Sequence, residues 1–389
     1  MIGARLAGET MRSGSAKASM GPFRAGNNVA ATMKDVARLA EVSLATVSAV
    51  LSGSTYVSPE LTSRVQKAVA ALGYAPNTVA RSLKKGATKL IGLVVPDITN
   101  PFFTELVHEV QKRARTLGYA VLLCDSERDL EQERWYLRML RAHLAVGAIL
   151  CATGPDETYK DLANDVGIMP IVAVDHIIRA SDYDSVVLDN VAASRIVMQH
   201  ILSLGHTRVA ILAGQQHLVP GRDRLAGFVD GLRAAGLDVI PELVRQGAFG
   251  EPEAFKAAQA LMKLPEPPSA IFATNNQMLI GAMRALAESG IRCPDDISVV
   301  GIDDFAWAAA FSPALTTVRQ PVDEMAAAAL DMLVERVNGL DVAPRHIVFA
   351  PELVVRQSCV APAPKRAPAR RGKAAKSERA AKAPQLSHA

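Results

Sequence analysis

From Thr32 to Tyr74 the apolar positions fall into three short runs at helical spacing. Thr32 is placed to cap MKDVARLA, in which Val36, Ala37 and Ala40 form one stripe. After a break at Glu41-Val42, Ser43 caps a second run, LATVSAVLS, and Gly53 follows it. On a helical wheel Val47, Val50 and Leu51 share one face of this second helix, while Leu44, Ala45, Ser48 and Ala49 share the opposite one. A third run opens with Ser58-Pro59, a cap followed by proline at the first helical position, and reaches Leu72 before Gly73. This pattern predicts a helix-turn-helix head over 32–76. Asn77 then caps a segment too short to be a stable helix alone, so a hinge helix and linker are expected over 77–88.

From Lys89 the period changes. Strands apolar throughout, LIGLVV, AVLLCD, GAILCA and PIVAVD, alternate with helical stretches such as FFTELVHEVQKRARTLG, and RVAILAG, AIFATN and ISVVGID repeat the scheme. Apolar strands joined by helices make parallel sheets covered on both faces. The expected fold class is therefore α/β, with two lobes over 89–360 and a ligand cleft at the carboxyl ends of the strands. Residues 1–31 carry no such pattern, and Met20 or Met33 would open the folded part cleanly. Residues 361–389 are rich in Ala, Pro and Lys. Both ends are expected to be disordered.

At 389 residues the chain is too long for one ordinary core. It has no apolar run of about 18 residues, so no membrane span or membrane partner is expected. Its first residues lack the continuous apolar core of a secretion signal. Cys124, Cys151, Cys293 and Cys359 stand without metal-ligand or redox spacing, and read as reduced packing residues of a cytoplasmic protein. The formal charge of +4 conceals an asymmetry: from Ala361 onward eight Lys/Arg face Glu378 alone, a net of +7, leaving about −3 on the rest. Such a tail is either a solvated extension or a nonspecific nucleic-acid contact.

The chemistry concentrates at strand ends: Asp97, Asn100, Phe102 and Phe103 after LIGLVV; Arg222 and Arg224 after AILAG; Asn275 and Asn276 after AIFAT; Asp303 and Asp304 after ISVVGI. No GxSxG, HExxH or P-loop pattern occurs, and the eight histidines are dispersed. An enzyme, a metal site and a bound cofactor are therefore not expected. Asp304 reads as a capping or turn residue, and Trp307 either packs under the cleft or reaches into it.

The succession MKDVARLAEVSLATVS, VSPELTSRVQKAVAALGYAPNTVARSLKKG and KLIGLVVPDITNPFF resembles the lactose/purine repressor family of bacterial transcription regulators, from Thr32 to about Val360. The body resembles a periplasmic sugar-binding protein. The resemblance implies a dimeric, effector-controlled regulator of operator DNA, with a repressor of carbohydrate-related genes as its expected role. It places the second helix in the major groove, with Leu44, Ala45 and Ala49 at base-reading positions. Many relatives carry a polar or basic residue at one of them; this chain has none, which leaves apolar contact with thymine methyl groups and exclusion by shape. Thr32, Ser43, Thr46 and Ser48 are expected to contact DNA, the last three holding phosphates. The helix from Asn77 to Lys84 is implied to form on DNA, with Leu83 inserted between central base steps and Arg81 and Lys84 on the backbone or minor groove.

In the body the resemblance implies that Phe102, Phe103 and Phe249 line or stack on the effector, while Arg224, Asn275 and Asp303 hydrogen-bond it. Asn276 stands where many relatives have Asp, and Arg222 is only two residues from Arg224. A more cationic pocket is expected, so a sugar acid or sugar phosphate stands beside a neutral sugar as effector. The dimer contact is expected mainly on the lobe containing Phe103 to Leu117.

Overall fold

The computed structural model of the chain describes residues 31–53, 55–74, 88–178 and 183–362. The hinge residues Asn77, Arg81, Leu83 and Lys84 lie outside them, as do most of the N-terminal extension and most of the basic tail. The chain divides into two units, one ending at Lys84 and the other beginning at Lys85.

The first unit contains α1 (Met33–Ala40), α2 (Leu44–Ser52) and α3 (Pro59–Leu72). Thr32 caps α1 through a reciprocal capping box with Asp35. Ser43 accepts the Thr46 amide at 3.0 Å to cap α2, and Ser58 accepts the Leu61 amide at 3.4 Å to cap α3. The core is small: Val36, Ala37, Ala40, Val47, Val65 and Ala68. The turn between α1 and α2 holds Glu41 at φ 52°, a left-handed conformation that costs a side-chain-bearing residue about 1–2 kcal/mol. Arg64 of α3 steadies it by donating to both the Glu41 carbonyl and its carboxylate, each at 3.2 Å.

The second unit is built on two six-stranded sheets. The first lobe runs β1 (Leu90–Val95), α4 (Pro101–Thr116), β2 (Ala120–Asp125), α5 (Leu130–Ala142), β3 (Gly147–Leu150), α6 (Leu162–Val166), β4 (Ile171–Val174) and β5 (Asp184–Leu188). The chain then enters the second lobe with α7 (Asn190–Ser203), β6 (Val209–Ala213), α8 (Val219–Ala234), β7 (Val244–Gln246), α9 (Glu251–Met262), β8 (Ala270–Ala273), α10 (Asn276–Glu288), β9 (Ser298–Ile302) and β10 (Thr316–Arg319). It returns for α11 (Val322–Val337) and β11 (His346–Phe349), and crosses once more to β12 (Glu352–Val354).

The strand orders are β11-β5-β4-β3-β1-β2 and β12-β10-β9-β8-β6-β7. All described pairings are parallel except β10 with β12, where Val318 faces Leu353. The seven strands expected from the sequence are present, and β5, β7, β10, β11 and β12 join them. In the first sheet Ile91 and Leu93 pack toward α4 and α11, while Val94 packs with Leu137 and Leu140 of α5. In the second, Leu212 and Val299 belong to the layer of α9 and α10, and Ile211 and Val300 to that of α7 and α8. Each sheet is thus covered on both faces, which explains strands apolar at every position.

Candidate functional site

Parallel strands deliver their carboxyl ends to one edge of each sheet, and in the second unit the two edges border a common cavity of about 630 Å³, its mouth included. The loop after β1 contributes Asn100, and α4 adds Phe102 and Phe103; the ends of β2, β3 and β4 supply Arg128, Thr153, Asp175 and His176. From the second lobe come Gln215 and Arg224 after β6, Phe249 after β7, Asn275 after β8 and Asp303 after β9. Among the described residues, eight non-glycine positions have positive φ, and four of them, Arg128, Asp175, Phe249 and Asp303, line this cavity. Backbone strain of this kind is held where it aims side chains at a site.

Arg224 is the electrostatic centre. It is 3% exposed, donates from Nε to Asn190 Oδ1 at 2.8 Å and from Nη1 to the Thr274 carbonyl at 2.6 Å, and lies 3.9 Å from the Asp303 carboxylate. Asp303 also accepts Gln320 Nε2 at 2.6 Å. Burial raises its carboxyl above the usual range, against the pull of Arg224 and Gln320. Burial likewise pushes Asp175 up to about 6, with Arg224 lowering it and Asp303 raising it. The cavity thus holds a buried guanidinium close to the Asp303 carboxylate, with the partly exposed Asp175 carboxylate on the same lining.

Aromatic surface completes the site. Phe102 and Phe103 meet edge to face with centroids 5.0 Å apart. The Phe249 ring lies 6.0 Å from the Arg224 guanidinium and presses on Gly214, where an added Cβ would come within 2.0 Å of the ring. Only glycine at 214 allows that approach.

Several bonds join the lobes here. Arg128, paired with Asp97 at 2.9 Å, donates to the Phe249 carbonyl at 3.2 Å. Asn276 Nδ2 donates to Asn100 Oδ1 at 2.9 Å, and the Val219 amide donates to His176 Nδ1 at 3.3 Å. With Nδ1 accepting, the neutral His176 ring carries its proton on Nε2, 3.5 Å from Asp156. Burial pushes the His176 pKa down, and Asp156 opposes it.

Of the expected effector residues, Asn100, Phe102, Phe103, Arg224, Phe249, Asn275 and Asp303 border the one cavity. Asn100 and Asn275 are also helix caps, accepting the amides of Phe102 and Met278. Asp97 and Arg222 are not among the lining residues. Asp97 acts one step back, through Arg128. Arg222 is half exposed beside Asp223, and its charge is felt at the cavity-lining His176, whose pKa it helps to lower. Asn276 is buried against Asn100, away from the cavity wall. Arg128, Thr153, Asp175, His176 and Gln215 were missed, although Asp175 and His176 directly follow PIVAV and satisfy the same strand-end rule. Asp304 is the hub of a network, accepting Arg356, Arg319 and Thr317. Trp307 stacks on Phe311 and is 47% exposed.

In the first unit the face of α2 opposite the core carries Leu44, Ala45, Ser48, Ala49 and Ser52, with no charged residue. Leu44 is 44% exposed. The Ser43 and Thr46 hydroxyls bond each other at 2.9 Å, and Thr32 is engaged with Asp35.

Residues 32–77 match the model of the bacterial regulatory proteins of the lacI family, and residues 198–359 match a periplasmic binding protein-like domain. The chain is 35% identical over 330 residues to the HTH-type transcriptional repressor PurR of Aliivibrio fischeri (strain MJ11), covering 84% of this chain and 98% of the relative. It is 34% identical over 328 residues to the ribose operon repressor of Escherichia coli (strain K12), covering 84% and 99%. Among solved structures it is similar to the lac repressor dimer bound to operator and the anti-inducer ONPF, with a TM-score of 0.77 at 29% identity over 85% of this chain and 99% of that one. A complex of the transcriptional regulator CelR with cellobiose matches at a TM-score of 0.64 and 30% identity, over 84% and 99%. No helix among the described residues is long and apolar enough to cross a membrane. A helix-turn-helix unit joined to a two-lobed α/β body with a polar cleft, shared along nearly the full length of these repressors, places the chain in the lacI family of DNA-binding transcriptional regulators.

Proposed function

We propose that this repressor holds operator DNA through the exposed face of α2, and that a neutral, polyhydroxylated molecule of monosaccharide size, bound between the lobes, sets its operator affinity. The observation that carries the effector class is the Asp175–Arg224–Asp303 arrangement. Two carboxylates lining the cavity with one arginine, Asp303 buried and Asp175 partly exposed, supply acceptors and donors for several hydroxyls, and phenyl rings cover an apolar sugar face. A sugar acid or phosphate would bring a further anion against Asp175 and Asp303. Arg128 does not offset that, because Asp97 already pairs with it. Arg222, expected to make the pocket more cationic, is half exposed and paired with Asp223, and Asn276 donates to Asn100.

One relative is named as a ribose operon repressor, and one solved neighbour is a complex with cellobiose. Carboxylates are acceptors only, and a sugar presents more donors to them than a purine base does. As in the lac repressor dimer, the working form is read as a dimer. Its contact is assigned to the α4–β2 side of the first lobe, where Leu117 and Leu122 are part exposed.

The test is isothermal titration of the full-length protein with neutral pentoses and hexoses, glucuronate, ribose 5-phosphate, and hypoxanthine. Heat from one or more neutral sugars and none from the anions is the expected result. Binding confined to the anions contradicts the charge argument, and binding confined to hypoxanthine moves the effector to the purine class.

A further inference from the structure

We infer that the α2 face of this chain recognises its operator chiefly through the C5-methyl groups of thymine, with base-edge hydrogen bonds playing a minor part. This rests on the proposed placement of α2 against DNA, and deepens it.

Leu44, Ala45, Ser48, Ala49 and Ser52 follow one another at helical spacing on the side away from Val47, which is fully buried. None has the forked or long polar end that pairs with guanine or adenine edges. The Ser52 hydroxyl is turned back on its own helix, donating to the Ser48 carbonyl at 2.7 Å. Ser43 and Thr46 bond each other at the start of α2. Ser48 remains, and a hydroxyl that both donates and accepts suits every base.

Leu44 is the one bulky side chain on the face, and it projects into solvent in the free unit. Beside it, Lys34, Arg38 and Glu41 line the same shallow groove, Arg38 paired with Asp35 and Glu41 with Arg64. An apolar tip with Lys34 on the same groove fits a thymine methyl group beside a phosphate backbone. Because 5-methylcytosine carries its methyl on the same ring carbon, the face should accept it where it accepts thymine.

The experiment uses the full-length protein and an operator obtained by selection from random duplexes. Each half-site thymine is replaced singly by deoxyuridine, which deletes the methyl and leaves every hydrogen-bonding group in place. Affinity is expected to fall about fourfold at each thymine that the face covers, the scale of one buried methylene. In Leu44→Ala the thymine-to-uracil ratio should move toward one, and 5-methylation of a cytosine placed at a sensitive position should strengthen binding by the wild type. A ratio of one at every thymine in the wild type overturns the inference, as does a ratio unmoved by Leu44→Ala. Thr46→Glu separates the underlying reading: if that anion on α2 leaves operator affinity unchanged, α2 is not on the DNA. A large loss in Thr46→Glu with neutral uracil substitution rejects the methyl readout alone.

Discussion

Asp303 directly follows β9, while Arg224 comes eleven residues after Ala213 of β6, on α8; both reach the cavity at the strand carboxyl ends, and this much is legible in the sequence. Arg222 fails the same rule for a geometric reason. It lies in the first turn of α8, and two residues along a helix turn the side chain by about 200°. Arg128 was hidden because it reaches the cavity from a loop and declares itself only through Asp97 and Phe249, partners 31 and 121 residues away. Asp175 gives the sharpest test at this scale. Its pKa, about 6 in the fold, means that acidification through that value replaces an acceptor by a protonated carboxyl. Sugar affinity measured by calorimetry should fall as pH drops from 7 to 5. The ligand-free stability contributed by this group has the opposite sign, because a raised carboxyl pKa favours the folded state as pH falls toward the ordinary value. Asp175→Asn should flatten both trends; a wild-type affinity that does not change across this range contradicts the role given to Asp175.

Elements with long apolar runs were legible, and short ones were not, whether at the sheet edges or, like β5 and β10, one strand in from them. β7 is VRQ, β10 is TTVR and β12 is ELV, segments of three or four residues whose charges face outward and mask a strand pattern. β11 was equally obscure, and its place at the edge of the first sheet depends on a distant ion network. The buried Asp184 of β5 accepts Arg336 of α11 at 2.8 Å and Arg345 at 3.0 Å. Burial works to raise its pKa, but these hydrogen bonds prevail and hold it at about 2. Asp184→Ala leaves Arg336 without its anion and Arg345 with Glu335 alone, and is expected to destabilise the body by ~3–5 kcal/mol in urea denaturation. In the wild type the contribution of Asp184 is complete above the ordinary carboxylate value, and is lost as pH falls from there toward 2. The hinge segment lies outside the described residues, and its role rests on sequence. Leu83→Ala is expected to weaken specific operator binding by ~1–3 kcal/mol and random DNA little. Equal losses on both, measured by fluorescence anisotropy, would remove the wedge from the account.

At the scale of the molecule, the body is arranged for closure. The chain passes between its lobes after β5, after β10 and after β11, so three short connections can act as a hinge for two rigid sheets. Bonds from Arg128 to Phe249, from Asn276 to Asn100 and from Val219 to His176 span the cleft and favour its closed form. Arg128→Ala removes one of these bonds without touching Arg224 or Asp303. It is expected to weaken sugar binding severalfold in calorimetry, and unchanged affinity would remove Arg128 from the closure.

If occupancy of this cleft sets operator affinity, linkage makes the coupling measurable from either ligand. Operator affinity should be titrated by anisotropy with and without a saturating neutral sugar, in the wild type and in Asp303→Ala. The sugar is expected to shift wild-type operator affinity by roughly 5- to 150-fold, with operator shifting sugar affinity by the same factor. Asp303→Ala is expected to bind operator normally in the absence of sugar and to show no shift. A variant that keeps the full sugar response would contradict control of operator affinity through the cleft.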